Sequence, residues 1–138
     1  MAISFTHHKF PPAPVIPIRL SSPGEPAAAS EYPALLDTGS DFTLVPLRYL
    51  STIQAPETRS AFVRGLFSER QLITLYLVDI HLEIGVLSGY EVIGVENTVD
   101  GFTDEEIILG RNVLNRLHLF LNGPAAETHL LERPPRKF

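Results

Sequence analysis

The sequence predicts a single, mostly β domain that closes into a small barrel and contains one short helix. The chain has 138 residues, of which 44% are hydrophobic, which is enough for one core. Short apolar and β-branched runs recur along it, and turn-forming residues separate these runs at close spacing. No internal repeat divides the chain into two similar halves. Many short strands joined by such turns are typical of a closed all-β barrel.

Composition excludes several classes of function. The formal net charge is −5 at pH 7, so a nucleic-acid surface, which needs a basic patch, is not expected. No apolar run is long enough to cross a membrane, and the first residues lack the hydrophobic core of a signal peptide. Cysteine is absent, which excludes disulfides and thiolate metal sites. These features favour a cytoplasmic protein with no cofactor, metal, nucleic acid or membrane among its partners.

The chain divides into a barrel domain over residues 15–132 and two short ends. Residues 1–14 contain three prolines and predict an extended N-terminal arm. Its two histidines, His7 and His8, have no acidic or cysteine neighbours, so a metal site is not expected there. Residues 133–138 form a basic C-terminal tail.

Apolar runs of strand length are bounded by turn residues throughout the domain. Pro17 places the first of these strands at an edge or a bulge, because proline lacks the N–H that a central strand donates. Pro46 favours a short helical turn over 46–50, and residues 111–117 have the apolar spacing of one or two helical turns. The predicted single strands cover residues 15–20, 32–36, 42–45, 90–95 and 107–109. Two hairpins are also predicted: one turns around Gly65 and has its second strand over 71–84, and the other closes the domain with strands 119–121 and 128–131.

The most informative stretch is the polar loop from Asp37 to Asp41, which lies between two apolar runs. A carboxylate at the tip of a strand, followed by Thr38 and Gly39, is an unusual insertion between core segments, because burying an ionised carboxylate is costly unless it is paired. Asp, Thr, Gly and Ser are also ordinary turn formers, so a plain surface turn is the alternative. By itself the triplet does not decide between a site and a turn.

A second motif later in the chain favours a site. Residues 106–114 read Glu-Ile-Ile-Leu-Gly-Arg-Asn-Val-Leu, and residues 35–40 read Leu-Leu-Asp-Thr-Gly-Ser. In this order, and in a chain this short, the two motifs resemble those of the retropepsins, the retroviral-type aspartic peptidases that carry one catalytic Asp per chain. The resemblance covers roughly residues 15–132 and is similar to the cellular and bacterial single-domain members. It implies a retropepsin-type barrel that functions as a two-fold homodimer.

The chemistry of these enzymes requires two carboxylates. One takes a proton from water and the other gives a proton to the carbonyl oxygen, and two carboxyls about 3 Å apart share one proton. This chain has one Asp-Thr-Gly triplet, so the resemblance implies that Asp37 of each of two copies meets on the dimer axis. The other acidic residues considered for this role are interpreted as solvated charges because none lies in a second such triplet; they are Asp79, Asp100, Asp104, Glu105 and Glu106.

Three neighbours of Asp37 are included in the catalytic set. Gly39 allows the backbone to approach the carboxylate, so that its N–H can support the charge. Thr38, by resemblance, forms a hydrogen bond across the dimer axis beneath the two carboxylates. The Ser40 hydroxyl is expected to donate to the Asp37 carboxylate and to favour its ionised form.

Asp41 and Arg111 match, by resemblance, an ion pair beside the active loop of retropepsins. Arginine offers a rigid fork that suits a carboxylate. If the pair is buried, removal of one partner is expected to cost about 3–5 kcal/mol. The alternative is that Arg111 is a solvated residue at the start of a helix.

The hairpin tip Arg64, Gly65, Leu66 and Phe67 matches, by resemblance, the flap that closes over bound peptide. The viral flap is rich in glycine, whereas this tip has only Gly65 beside two bulky apolar residues. A plain hairpin without a lid role is the alternative interpretation.

Three functions remain open from the sequence. The first is a homodimeric aspartic endopeptidase that hydrolyses extended peptides held under the flap. The second is a dimeric peptide-binding or scaffold module with weak or no catalysis, which the glycine-poor tip favours. The third is a self-processing part of a larger polyprotein, although the initiating Met1 favours a free-standing protein.

Overall fold

The computed structural model describes residues 11–64, 69–96 and 106–136, together with the backbone of residues 2–6. Among these residues, strands dominate and two short helices are present. The elements are β1 (Ala2–Thr6), β2 (Val15–Ser21), β3 (Tyr32–Leu36), β4 (Leu44–Pro46), α1 (Leu47–Thr52), β5 (Glu57–Arg64), β6 (Arg70–Leu82), β7 (Gly85–Val95), β8 (Ile107–Leu109), α2 (Arg111–Leu114), β9 (His118–Asn122) and β10 (Glu127–Leu131).

Six of the strands close into a barrel. They follow the order β2-β3-β8-β4-β7-β6, and the ring closes where Leu20 of β2 lies opposite Ile80 of β6. Strand β5 pairs with the outer side of β6 and forms an antiparallel hairpin with it. A second sheet has the order β1-β10-β9. The predicted fold class, a mostly β closed barrel, is confirmed.

Alternation of side chains along the strands fills the barrel. In β2, Ile16, Ile18 and Leu20 are buried while the residues between them are partly exposed. Such a period of two places one face of a strand in the core. Strand β8 is buried along its whole length, as expected for its uninterrupted apolar sequence. Each fully buried large aliphatic side chain stabilises the fold by about 1.5–3 kcal/mol.

The inner strand β8 brings the two sequence motifs together. It runs parallel to β3, with Leu36 opposite Leu109, and its other side pairs with β4, where Ile108 lies opposite Leu44. The strand that enters the Asp37 loop and the strand that leaves it therefore both flank β8. As a result, the loop and the start of α2 lie at the same end of the barrel.

Two local predictions differ from the structure. The described residues form two short helices instead of one, because the predicted turn after Pro46 extends to Thr52 as α1. Strand β7 begins at Gly85, not at Tyr90, so Gly89 does not interrupt it. A register shift between Val78 and Ile80 in the facing strand accommodates Gly89, since a β-bulge absorbs one unpaired residue.

The ends of the chain add to the second sheet. Residues 2–6, within the N-terminal arm predicted over 1–14, form β1 and pair with β10. The boundaries of the arm and of the tail over 133–138 stay predictions. Within the described part of the chain, no helix is both long and apolar enough to span a membrane.

Candidate active site

Asp37 lies directly after β3, and its position is set by the neighbouring strand. Its backbone N–H donates to the carbonyl of Leu109 at 3.0 Å, which continues the parallel ladder by one residue. The side chain is half-buried, and its Oδ1 accepts the N–H of Gly39 at 2.9 Å. A Cβ at residue 39 would lie 3.2 Å from that oxygen, which is tight. Glycine therefore permits the close contact between backbone and carboxylate that the sequence led us to expect.

The expected role of Ser40 is not observed. Its hydroxyl donates to the carbonyl of Phe42 at 2.7 Å and not to the Asp37 carboxylate. A serine hydroxyl readily bonds to backbone two residues away, and this local bond closes the polar loop. In the single chain, Ser40 therefore supports the shape of the loop rather than the charge on Asp37.

Asp41 and Arg111 form the ion pair that the sequence suggested. The guanidinium also donates to the carbonyl of Thr38 at 2.7 Å, and the Arg111 N–H donates to the carbonyl of Ser40 at 2.8 Å. One arginine thus holds three residues of the Asp37 loop. The pair is exposed in the single chain, with 72% of the Asp41 side chain and 44% of the Arg111 side chain accessible. The penalty expected for a buried pair therefore does not apply to the single chain.

A buried hydrogen-bond chain beneath the loop was not predicted from the sequence. The N–H of Gly110 donates to Thr43 Oγ1 at 3.1 Å, and that hydroxyl donates to Asn112 Oδ1 at 2.8 Å. Asn112 Nδ2 then donates to the carbonyl of Glu91 in β7 at 3.0 Å. The signals in the sequence were slight: a polar Thr43 in an apolar run, and an amide directly after Arg111. This chain joins β4, α2 and β7 below the candidate site.

Gly110 marks the closest approach between the two motifs. A Cβ at this residue would lie 2.1 Å from the carbonyl oxygen of Phe42 and 2.9 Å from that of Ser40. Both neighbours are backbone atoms that cannot swing away. The sequence requires glycine here because no other residue fits between the loop and the start of α2.

Strand β7 also contacts the β5–β6 hairpin, the outer hairpin, through hydrogen bonds of Glu91 that we name the clamp. The Glu91 carboxylate accepts hydrogen bonds from Thr58 Oγ1 at 2.8 Å and from Arg59 Nε and Nη2 at 3.2 and 3.3 Å. The bonds from Arg59, followed by that from Thr58, lower the pKa of Glu91, and the same contact raises the pKa of Arg59. Glu91 therefore connects β5 by its side chain and Asn112 by its main chain.

The predicted flap lies only partly within the described residues. Arg64 is exposed and ends β5, whereas Gly65, Leu66 and Phe67 lie outside them. Below the tip, Phe62 and Leu72 face each other across the hairpin, and each is 62% exposed. The antiparallel hairpin exists as predicted, and its role as a flap stays a prediction.

One of the acidic residues set aside from the sequence is not a solvated charge. Asp79 is buried in β6, and its two carboxylate oxygens accept the N–H groups of Gly24 and Gly89, each at 2.8 Å. It holds a loop and a bulge in place. Asp100, Asp104 and Glu105 lie outside the described residues. Within the described ranges, no cluster of His, Cys, Asp and Glu has the arrangement of a metal site.

Comparison with solved structures shows which fold the chain has. No family model and no curated protein matches the chain. Among solved structures, a retropepsin-like aspartic protease from Rickettsia conorii matches 94% of this chain and 89% of its own, with a TM-score of 0.62 and 10% identity. EIAV protease, solved with the inhibitor HBY-793, matches 80% of this chain and 93% of its own, with a TM-score of 0.52 and 15% identity. The chain therefore has a retropepsin-like fold, as the two motifs in its sequence suggested.

Proposed function

We propose that the chain is an aspartic endopeptidase that acts as a homodimer, with one Asp37 from each subunit. The observation that carries the proposal is the set of contacts that positions Asp37. Its half-buried carboxylate lies at the end of β3 and accepts the Gly39 N–H, while Arg111 holds the loop that bears it. A surface turn needs no such support from a distant helix. The retropepsin-like fold of the chain agrees with this function.

In the proposed mechanism, the two Asp37 carboxyls share one proton across the dimer axis. One takes a proton from a water molecule as it attacks the scissile carbonyl, and the other protonates the carbonyl oxygen, which gives a diol. The first carboxyl then donates its proton to the amide nitrogen while the second takes a proton from the diol, and the C–N bond breaks to release the acid and the amine. Oδ1 is already occupied by the Gly39 N–H, which leaves the other oxygen to face water and substrate. No covalent intermediate forms.

The second copy would dock at the outer edge of β9. Among the described strands, β9 ends its sheet and has a partner only on the β10 side. Phe120 and Leu121 on this strand are 56% and 53% exposed. An edge strand with large apolar side chains is a template for pairing with another chain. Strand β9 follows α2, whose Arg111 holds the Asp37 loop, so a two-fold contact here would lie next in sequence to the helix that supports the site.

Cleavage of a mixed peptide library between acid and neutral pH tests the proposal. We expect cleavage by the wild type that is lost in Asp37→Asn, because an amide cannot take a proton from water. An equal mixture of the two should retain only about one quarter of its dimers with two carboxylates, and activity should follow that fraction. Activity proportional to the wild-type fraction would contradict a shared site. A dimer that cleaves nothing would favour the peptide-binding or scaffold module.

A further inference from the structure

A side-chain contact ties the base of the outer hairpin to strand β7 of the barrel. Strand β5 contacts only β6 in the sheet order β7-β6-β5, so β5 and β7 lie two strands apart, about 10 Å. The Glu91 side chain extends into this gap from β7, and the side chains of Thr58 and Arg59 extend from β5 and donate hydrogen bonds to it. It therefore links the hairpin to β7 across the intervening strand.

A bulge in β5 creates this contact. Glu57 lies opposite Tyr76 and Arg59 lies opposite Leu75, which leaves Thr58 as the extra residue. In a regular strand, Thr58 and Arg59 would point to opposite faces, whereas a bulge redirects one of them. Here both side chains reach the same carboxylate. Thr58 Oγ1 also lies 3.2 Å from the carbonyl of Leu75, which fixes the bulge to β6.

The other side of Glu91 connects to the candidate site. Its carbonyl accepts Asn112 Nδ2 at 3.0 Å, and Asn112 accepts the Thr43 hydroxyl that holds the Gly110 N–H. Asn112 follows Arg111, which binds the carbonyl of Thr38. A single residue of β7 is thus in contact with the hairpin by its side chain and with the support of the Asp37 loop by its main chain.

We infer that Glu91 is a positioning residue, which holds the base of the β5–β6 hairpin at a set orientation relative to β7 and so favours peptide binding. The inference rests on the proposed function and adds a residue that does not touch substrate. Substitution of the side chain leaves the main-chain bond to Asn112 in place. Loss of the clamp therefore loosens the hairpin without moving the catalytic loop.

Loss of the clamp should therefore weaken peptide binding and leave the chemical step nearly unchanged. A looser hairpin must lose more conformational freedom when peptide binds, which weakens binding. The contact is partly exposed, so the change is small: we expect Glu91→Gln to raise KM about two- to five-fold and to leave kcat within about two-fold. Arg59→Gln should act in the same direction but less, because Thr58 still donates to Glu91. The double variant should add little to Glu91→Gln, because both changes act on the Arg59–Glu91 contact.

Two measurements test the inference together. Kinetics are recorded on a peptide that the wild type cleaves, and amide hydrogen exchange is recorded along residues 59–64 and 70–74. We expect faster exchange in this hairpin in Glu91→Gln, together with the rise in KM. Glu31→Gln is the matched control, because it removes an exposed carboxylate from the Arg19 pair, outside β5, β6 and β7.

The inference is overturned if hairpin exchange is unchanged in Glu91→Gln, if kcat falls while KM stays constant, or if Glu31→Gln has the same effects. If the wild type cleaves no peptide, the proposed function fails, and hydrogen exchange alone tests whether Glu91 holds the hairpin. Faster hairpin exchange would then support the tether at Glu91, and unchanged exchange would refute it.

Discussion

At the scale of single residues, Gly110 is the position where the fold tolerates least change. A methyl group there would meet the backbone oxygen of Phe42 at 2.1 Å. We expect Gly110→Ala to lower the free energy of unfolding by about 3 kcal/mol or more, because two backbone segments must separate. Urea denaturation measures this loss. Gly123→Ala is the control, since nothing lies within 4 Å of its added Cβ, and an equal loss there would contradict the explanation.

Substitution of Arg111 should affect peptide cleavage more than it affects the stability of the fold. Its pair with Asp41 is exposed, so we expect Arg111→Lys to cost no more than about 1 kcal/mol of folding free energy. Lysine carries all its donors on one nitrogen, so it cannot reproduce the separate bonds of Arg111 Nη1 to the Thr38 carbonyl and of Nη2 to Asp41. Peptide cleavage should therefore fall at least about tenfold, because the Asp37 loop is less well oriented.

Thermal unfolding and cleavage assays of Arg111→Lys measure the two effects separately. Arg116→Lys, an exposed change in the turn that follows α2, serves as the control. A variant that keeps wild-type cleavage would show that Arg111 does not position the loop. A large loss of stability would show that the pair is less exposed than in the single chain.

At the scale of elements, Asp79 joins a loop and two strands that the barrel depends on. Its carboxylate accepts two backbone N–H groups, from Gly24 and Gly89, and it is 5% exposed. Asparagine keeps one acceptor and turns an N–H₂ toward the second donor. We expect Asp79→Asn to destabilise the protein by about 2–3 kcal/mol, measured by urea denaturation. Glu83→Gln on the exposed turn should be neutral, and a neutral Asp79→Asn would refute the role.

The strands and turns were largely predictable from the sequence, and the side-chain contacts between them were not. The apolar run 107–109 and the Asp-Thr-Gly triplet are local patterns, and local patterns determine strands and turns. Asp79 looked like a solvated charge because nothing near it in the sequence indicates that Gly24 lies against it. The Thr43–Asn112 bond likewise joins residues that are 69 positions apart. A single sequence carries little signal for such contacts.

Ser40 illustrates a different limit. Its hydroxyl had two acceptors within reach, the Asp37 carboxylate and the carbonyl of Phe42. The geometry of the loop decides between them in favour of Phe42. A motif can predict which residue type occupies a position, but the direction of a rotatable hydroxyl depends on backbone angles that the motif does not specify.

At the scale of the whole molecule, the proposed function depends on a second copy, and the single chain offers the edge of β9 for it. Burial of Phe120 and Leu121 would contribute about 1.5–3 kcal/mol each to association. Replacing both by aspartate removes that gain and places two like charges against their symmetry mates. We expect the Kd of the dimer to rise at least about 100-fold, with the fold retained.

Sedimentation velocity and circular dichroism test this prediction, with peptide cleavage recorded on the same samples. A folded monomer that has lost cleavage is the expected result, because each subunit supplies only one Asp37. Val86→Asp is the matched control: Val86 is also an exposed apolar residue, 51% accessible, but it lies on β7. A double variant that stays dimeric and active would place the two-fold contact elsewhere. A folded monomer that still cleaves would contradict the two-carboxylate mechanism itself.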